Sequence, residues 1–269
     1  HPELMFTDIQ GAWPTHERMI LVSCDETYFN RYFPRFYKTF TKHWQLPIHA
    51  HLIDPSKESL ARLAKLGVSH TWCQTEDYDW HNAVAVFKKE NNITQRNHET
   101  VKQWLYECYC QCQRFVVMGS RMTEKQSVIV ADVDAYAQKT PSEEQMQLLF
   151  SCSAFTEFNG RLMATFCHFH PDQLSQIRRL SSMIVDRLTR CFVQGLDQKA
   201  LKELFRTARI DLKHIEWIRH LDIKKKKDLK QHAKGLIYHE KGQRGKIKHA
   251  SVLSPCTTFE NVIGWENME

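Results

Sequence analysis

The chain has 269 residues, enough to bury a sizeable hydrophobic core as one large domain or two small ones. Its apolar fraction of 42% is ordinary for a soluble protein and excludes wholesale disorder. No apolar run approaches the roughly 18 residues of a membrane span, and the N-terminus lacks a signal-peptide pattern, so we expect no integral membrane contact. The formal net charge of +6 permits a polyanionic partner without requiring one.

The nine cysteines are scattered through segments whose pattern is typical of a core. Their odd number favours reduced thiols and a cytoplasmic protein over a disulfide framework. Cys108 and Cys112 lie one helical turn apart, but no second pair with zinc spacing follows, which disfavours a structural zinc site.

The first third of the chain alternates between predicted strands and helices. Residues 1–16 show no periodicity and are expected to form a loose leader. Residues 17–23, 47–53 and 68–72 are apolar, β-rich runs that predict three strands. A stripe of aromatic residues at helical spacing predicts a helix after the first strand and is more typical of a core than of a cofactor site: Phe29, Phe33, Phe36, Phe40 and Trp44. This order is typical of a parallel sheet with helices on its faces.

A helical pattern over residues 99–121 then leads into residues 127–131, a short β-branched run typical of a strand buried on both faces. Two further β-rich runs, 153–158 and 161–169, are joined by Asn159-Gly160, which is the strongest hairpin signal in the chain. We therefore predict an α/β fold with a mostly parallel central sheet, flanking helices and a small antiparallel hairpin.

Asp132 and Asp134 follow the predicted strand over residues 127–131, at the position where open α/β sheets bind their ligands. If the chain bends there, the two carboxylates converge on one point. Such hard oxygen donors suit a divalent cation that carries a substrate diphosphate. The alternative is an acidic turn cap, which any Asp-x-Asp tripeptide can form.

The last third of the chain carries the basic excess, as a lysine run over residues 224–227 and a glycine-bearing patch over residues 241–248. A charge run is usually a solvated face, and this interpretation is favoured for the first segment. The second segment follows a predicted strand that ends in His239, so its amides and cationic side chains can surround a phosphate.

Five short blocks in this order resemble the GT-A glycosyltransferases, most closely their galactosyltransferase and glycogenin-like branch with its Asp-x-Asp motif. The resemblance extends over about residues 17–246. It implies a single Rossmann-like GT-A domain over residues 17–250, a C-terminal tail over 251–269, a nucleotide-sugar donor and Mn²⁺ or Mg²⁺ as the cofactor.

The first block looks like that branch's nucleotide-binding turn, which implies binding by Ser23, Cys24, Asp25 and Tyr28. Within it, the resemblance implies a uracil contact from Asp25 and stacking by Tyr28.

Two further blocks resemble the branch's catalytic residues. Arg114 is similar to an arginine that reaches the donor sugar. Asp197-Gln198, in an interruption between two helical segments, is similar to a pair close to the reacting carbon.

The metal ligands implied by the resemblance are Asp132, Asp134 and His239. His239 begins a C-terminal element similar to His-x-x-Gly-x-x-Lys, in which Gly242 and Lys246 would meet the diphosphate. Lys246 follows the glycine by one position too many, so the diphosphate contact stays open between Lys246 and two other basic residues, Lys241 and Arg244.

The expected function is metal-dependent transfer of a hexosyl or pentosyl group from a nucleotide sugar, most readily a UDP-sugar, to a hydroxyl, with retention. The first alternative is a glycosyltransferase acting on hydroxylated bases in DNA, which the basic segments allow. The second is a non-catalytic nucleic-acid-binding protein. A saccharide-like acceptor is favoured over DNA because a run of charged residues usually forms a solvent-exposed face. The sequence leaves the sugar, the acceptor and the oligomeric state open.

Overall fold

The computed structural model describes residues 8–158, 161–190, 195–208 and three short strands beyond them. The helices are α1 (Glu26–His43), α2 (Lys57–Lys65), α3 (Trp80–Glu90), α4 (His98–Arg121), α5 (Glu143–Phe150), α6 (Leu174–Arg190) and α7 (Leu196–Ala208). The strands of the larger sheet are β1 (Gln10–Gly11), β2 (Arg18–Asp25), β3 (Ile48–Ile53), β4 (Ser69–Cys73), β5 (Ser127–Ala131), β7 (Ala154–Phe158), β8 (Arg161–Phe169) and β9 (Lys213–His214). A smaller sheet contains β6 (Ala135–Ala137), β10 (Ile218–Leu221) and β11 (Ile237–Glu240).

The larger sheet has the strand order β1-β4-β3-β2-β5-β8-β7-β9. Its centre, β4-β3-β2-β5, is parallel throughout, and β8 joins β5 in the antiparallel direction. β7 and β8 form the predicted antiparallel hairpin, with Phe158 opposite Arg161. The predicted α/β class, the parallel centre and the hairpin are therefore confirmed.

The sheet separates two hydrophobic cores because alternate residues of its central strands point to opposite faces. In β2, Met19 and Leu21 pack into the core under α3, α4, α6 and α7, whereas Ile20 and Val22 pack under α1, α2 and α5. All four side chains are fully buried. The continuous apolar runs that predicted buried strands thus correspond to strands covered by helices on both sides.

The aromatic stripe of α1 is part of the core, as its spacing predicted. Its four phenylalanines are fully buried and Trp44 is nearly so. Asp25 accepts a hydrogen bond from the backbone N–H of Tyr28 and so begins the helix at Glu26. This cap places the start of the helix directly at the carboxyl end of β2.

Two residues of the expected loose leader, Gln10 and Gly11, form a strand. Gln10 and Gly11 pair with β4, and Arg121 donates a hydrogen bond to the carbonyl of Ile9 at 2.7 Å. Gly11 has a φ of 87°, and a Cβ there would lie 2.6 Å from the carbonyl oxygen of His70. A two-residue strand is too short to show a period, so only its pairing with β4 identifies it.

No described helix combines the length and the apolarity needed to cross a lipid bilayer. The cysteines that the structure describes are all free thiols. Cys152 is partly buried, and the others are buried: Cys24, Cys73, Cys108, Cys110, Cys112 and Cys167.

The closest approach of α4 and α6 provides a test of the fold. A Cβ on Gly119 would lie 2.3 Å from the Cβ of Ser181, a distance that no relaxed side chain tolerates. We expect Gly119→Ala to lower the free energy of unfolding by about 1–2 kcal/mol, because overpacking outweighs the better helix propensity of alanine. Urea denaturation monitored by circular dichroism measures this difference.

The control for Gly119→Ala is Ser120→Ala, at the next, exposed position of the same helix, which should change stability by less than about 0.5 kcal/mol. Ser181→Gly in the Gly119→Ala background should recover part of the loss. A Gly119→Ala protein more stable than the wild type would contradict the packing described.

Candidate functional site

A cavity of about 370 Å³ opens at the carboxyl ends of β2 and β5. Val22 pairs with Ala131, so Ser23, still within β2, lies beside Asp132, the first residue after β5. Nine of the predicted site residues line this cavity: Ser23, Cys24, Asp25, Tyr28, Arg114, Asp132, Asp134, Asp197 and Gln198. Parallel pairing of β2 with β5 and the packing of α4 and α7 thus bring together four separate blocks of the sequence.

The cavity also has lining residues that the sequence did not single out: Glu107, Cys110, Gln111, Val133, Met163, Ala164, Thr165 and Gly195. Three of them lie on α4, on the same face as Arg114. Their spacing of three, four and seven residues from Arg114 is the helical period that places side chains on one face. That period was the available signal. The sequence gives no comparable signal for the lining residues of β8, Met163, Ala164 and Thr165, because their position depends on which strand pairs with β5.

Asp25 ends β2 and caps α1, with its Oδ1 2.8 Å from the backbone nitrogen of Tyr28. Burial raises the pKa of Asp25, and backbone N–H donors at the start of α1 oppose this effect. Tyr28 follows in the first turn of the helix and is 38% exposed at the cavity. The cap therefore positions one carboxylate and one accessible aromatic ring at the same end of the cavity.

The Asp-x-Asp segment is a tight turn held by backbone hydrogen bonds. The N–H of Asp132 donates to the carbonyl of Thr165 at 2.9 Å, and the carbonyl of Asp132 accepts from the N–H of Ala135 at 3.0 Å. Arg35 donates to the carbonyl of Asp134 at 3.2 Å. Asp134 is buried, whereas the side chain of Asp132 is 22% exposed.

The smaller sheet brings the C-terminal part of the chain back to this turn. β11 pairs with β6 in the antiparallel direction, which places the backbone of His239 opposite Ala135, the residue after Asp134. Directly opposed residues of such a pair lie about 4.5–5.5 Å apart between Cα atoms. His239 is thus next to the Asp-x-Asp segment by register. Gly242 and Lys246 lie outside the described residues.

Lys241, Arg244 and the lysine run over residues 224–227 also lie outside the described residues, so the diphosphate contact and the DNA alternative stay predictions.

Arg114 links two of the cavity's carboxylates. Its Nη2 donates to Oδ2 of Asp197 at 2.9 Å, and its Nη1 contacts Oδ1 of Asp132. The guanidinium is buried, and so is Asp197 in the first turn of α7. This ion-pair network connects α4, the turn after β5 and α7.

The start of α7 is also attached to β8. Oε1 of Gln198 accepts a hydrogen bond from the backbone N–H of Ala164 at 2.7 Å. Asp197 and Gln198 were expected in an interruption between helices, whereas the structure places both in the first turn of α7. Their positions are therefore fixed by a helix and by a strand rather than by a free loop.

The cavity is strongly acidic. Its described lining contains five carboxylates, those of Asp25, Glu107, Asp132, Asp134 and Asp197, and Arg114 is the only cation in that lining. Such an arrangement attracts cations and repels an anion that is not accompanied by a cation.

The cavity's two cysteines are protonated thiols. Burial raises the pKa of Cys24 and of Cys110, and the carboxylate of Asp25 adds to both shifts. The thiolate is the nucleophilic form of cysteine, so these two side chains do not provide a nucleophile.

Among the described side chains, no group of three or more His, Cys, Asp or Glu residues is arranged to hold a metal ion. The carboxylates of Asp132 and Asp134 provide the hard oxygen donors that Mn²⁺ and Mg²⁺ prefer. His239, the predicted third ligand, is described through its backbone pairing alone.

No family model matches the sequence, and no curated protein matches it. Solved structures do. The apo form of the bifunctional glycosyltransferase WbbM superimposes with a TM-score of 0.55 and 10% sequence identity over 91% of this chain. The apo form of the glycosyltransferase GlyE from Streptococcus pneumoniae TIGR4 superimposes with a TM-score of 0.53 and 14% identity over 85% of this chain. The chain has a GT-A-like glycosyltransferase fold.

The chain covers 51% of the WbbM structure and 55% of the GlyE structure. The similarity therefore concerns about half of each of these proteins. At this low identity the similarity shows the fold alone.

The raised pKa of Asp25 generates a prediction. A carboxyl group whose pKa is higher in the folded protein contributes stability at acid pH and loses it as pH rises through the folded pKa. Asparagine caps helices as well as aspartate does. Asp25→Asn should therefore be more stable than the wild type at neutral pH, and this difference should shrink near pH ~4, the ordinary pKa of aspartate.

Urea denaturation at the two pH values measures this difference. The matched control is Asp79→Asn at the N-cap of α3, an exposed position. If Asp25→Asn is less stable at neutral pH, or if its advantage does not depend on pH, the effect of burial on Asp25 is misassigned.

Proposed function

We propose that this protein is a metal-dependent glycosyltransferase that moves a sugar from a UDP-sugar to a hydroxyl group of a saccharide-like acceptor. The observation that carries the proposal is the convergence of the nucleotide, Asp-x-Asp, Arg114 and Asp197-Gln198 blocks on one cavity in a chain with a glycosyltransferase fold. These blocks extend from Ser23 to Gln198 in the sequence, so their convergence does not follow from local structure.

The charge of the cavity supports metal dependence. A nucleoside diphosphate is an anion, and the described lining of the cavity holds five carboxylates against one guanidinium. A divalent cation removes this repulsion because it binds both the carboxylates and the diphosphate. Asp132, Asp134 and His239 would hold Mn²⁺ or Mg²⁺, which supplies a Lewis acid for the charge that develops on the leaving diphosphate.

Asp25 and Tyr28 are suited to a nucleobase. The aromatic ring of Tyr28 is accessible at the cavity and offers a stacking surface. The carboxylate of Asp25 accepts N–H donors, as its bond to Tyr28 demonstrates, and the imide N–H of uracil is a donor of the same kind. The two residues together therefore favour a uridine nucleotide.

Arg114, Asp197 and Gln198 are suited to the reacting sugar. The guanidinium of Arg114 donates hydrogen bonds that orient hydroxyl groups. The carboxylate of Asp197 stabilises positive charge that develops at the anomeric carbon, and it is preorganised by burial and by its ion pair. Retention of configuration is the outcome that the resemblance to the glycogenin-like branch implies.

The proposal predicts metal-dependent nucleotide binding. UDP with Mn²⁺ should raise the melting temperature by several degrees, since a hundredfold excess of ligand over its Kd stabilises the native state by about 2.7 kcal/mol. UDP with EDTA should produce a much smaller shift. Asp134→Asn should melt near the wild-type temperature, lose the metal-dependent shift and lose transfer. Differential scanning fluorimetry and a UDP-release assay measure these outcomes.

The matched control is Asp172→Asn, the same change at an exposed carboxylate outside the cavity, which should keep both the shift and the transfer. Near-normal turnover of Asp134→Asn at saturating Mn²⁺ would reject the metal assignment. A UDP shift of equal size in EDTA would reject metal-dependent donor binding.

A further inference from the structure

The two ion pairs of Arg114 lead beyond the proposed function. The guanidinium bridges Asp132, which belongs to the Asp-x-Asp turn, and Asp197, which belongs to α7. Its Nη1 and Nη2 are both engaged, while its buried Nε has no hydrogen-bond partner among the described residues. Arg114 therefore already neutralises one of the carboxylates assigned to the metal.

The two carboxylates bound by Arg114 differ in their exposure to solvent. The side chain of Asp132 is 22% exposed, whereas that of Asp197 is 6% exposed. A buried carboxylate that loses its cation is left uncompensated in a low dielectric, while a partly exposed one is rehydrated by water. The pair with Asp132 is thus the easier of the two to break.

A divalent cation that binds Asp132 opposes its contact with Arg114. The guanidinium and the metal have charges of the same sign, and both use oxygens of the same carboxylate. The contact between Arg114 and Asp132 therefore lowers the affinity of the site for a metal ion. A ligand that favours one of two arrangements shifts the population toward it.

We propose that Arg114 is a built-in counterion of the metal site, which neutralises Asp132 while the site is empty and releases this carboxylate when metal binds. Arg114 stays on Asp197, so its released Nη1 and its Nε are available to the donor sugar. The inference rests on the proposed function, because it takes Asp132 as a metal ligand. It makes metal binding the step that frees a sugar-binding group.

The test is the affinity for Mn²⁺ alone, without nucleotide, measured from the free-Mn²⁺ signal in electron paramagnetic resonance. Arg114→Gln removes the competing cation and should bind Mn²⁺ at least about fivefold more tightly than the wild type, the lower end of common coupling strengths. Arg114→Lys keeps the charge, but one ammonium cannot bridge both carboxylates as the planar guanidinium does. It should pair with the buried Asp197 and also bind Mn²⁺ more tightly.

Arg114→Lys separates the proposal from a general charge effect, which would leave the affinity of this variant at the wild-type value. The matched control is Arg187→Gln, which breaks an ion pair between α6 and Glu203 of α7 outside the cavity and should leave Mn²⁺ affinity unchanged. Melting temperatures verify that each variant is folded. If Arg114→Gln does not fold, Arg114→Lys alone provides the test.

Wild-type or weaker Mn²⁺ affinity in Arg114→Lys would overturn this inference while the proposed function stands, provided that the wild type binds Mn²⁺ and UDP. A wild-type protein that binds neither Mn²⁺ nor UDP would overturn both.

Discussion

The ion pairs of one buried guanidinium organise the cavity. Arg114 lies on α4 and contacts a carboxylate from the turn after β5 and another from the first turn of α7. Without this cation the acidic segments would repel one another in a partly buried space, where Coulomb interactions are strong. The cavity's own cation therefore compensates part of its negative charge.

The remaining negative charge distinguishes a functional site from a structural ion-pair network. The described lining holds five carboxylates, whose negative charge one arginine cannot neutralise. Burying unpaired carboxylates costs free energy, so packing alone does not explain their presence. Strand pairing and the packing of α4 and α7 bring them together at the carboxyl ends of parallel strands, where α/β proteins bind their ligands. Fold and charge thus both support the proposal of a site for an anionic substrate that arrives with a metal ion.

Helices, strands and the hydrogen bonds between them hold the backbone around the cavity. Asp25 is both the end of β2 and the N-cap of α1, the Asp-x-Asp turn is bonded to β8, and Gln198 connects α7 to the same strand. Asp25 and Gln198 are thus placed by regular secondary structure, and the turn with Asp132 and Asp134 is bonded to a strand. Such placement on helices and strands holds functional groups more closely than a loop does.

The sequence by itself determined the elements whose pattern is local. The β-branched run Ser127–Ala131, the aromatic stripe of α1 and the pairing of β7 with β8 follow from burial, helical period and the Asn159-Gly160 signal in the sequence. The resemblance of short blocks also located most residues of the cavity, because these residue types occur in a characteristic order along the chain.

Only the tertiary structure decided what depends on pairing between distant segments. Residues 10–11 became a strand because β4 offered an edge, and β6 formed because β11 returned to pair beside Asp134. The bridge from Arg114 to both Asp132 and Asp197 joins positions 18 and 83 residues apart, and no local pattern encodes it. Burial and register are properties of the assembled sheet, so they set the charge balance of the cavity after the local elements are in place.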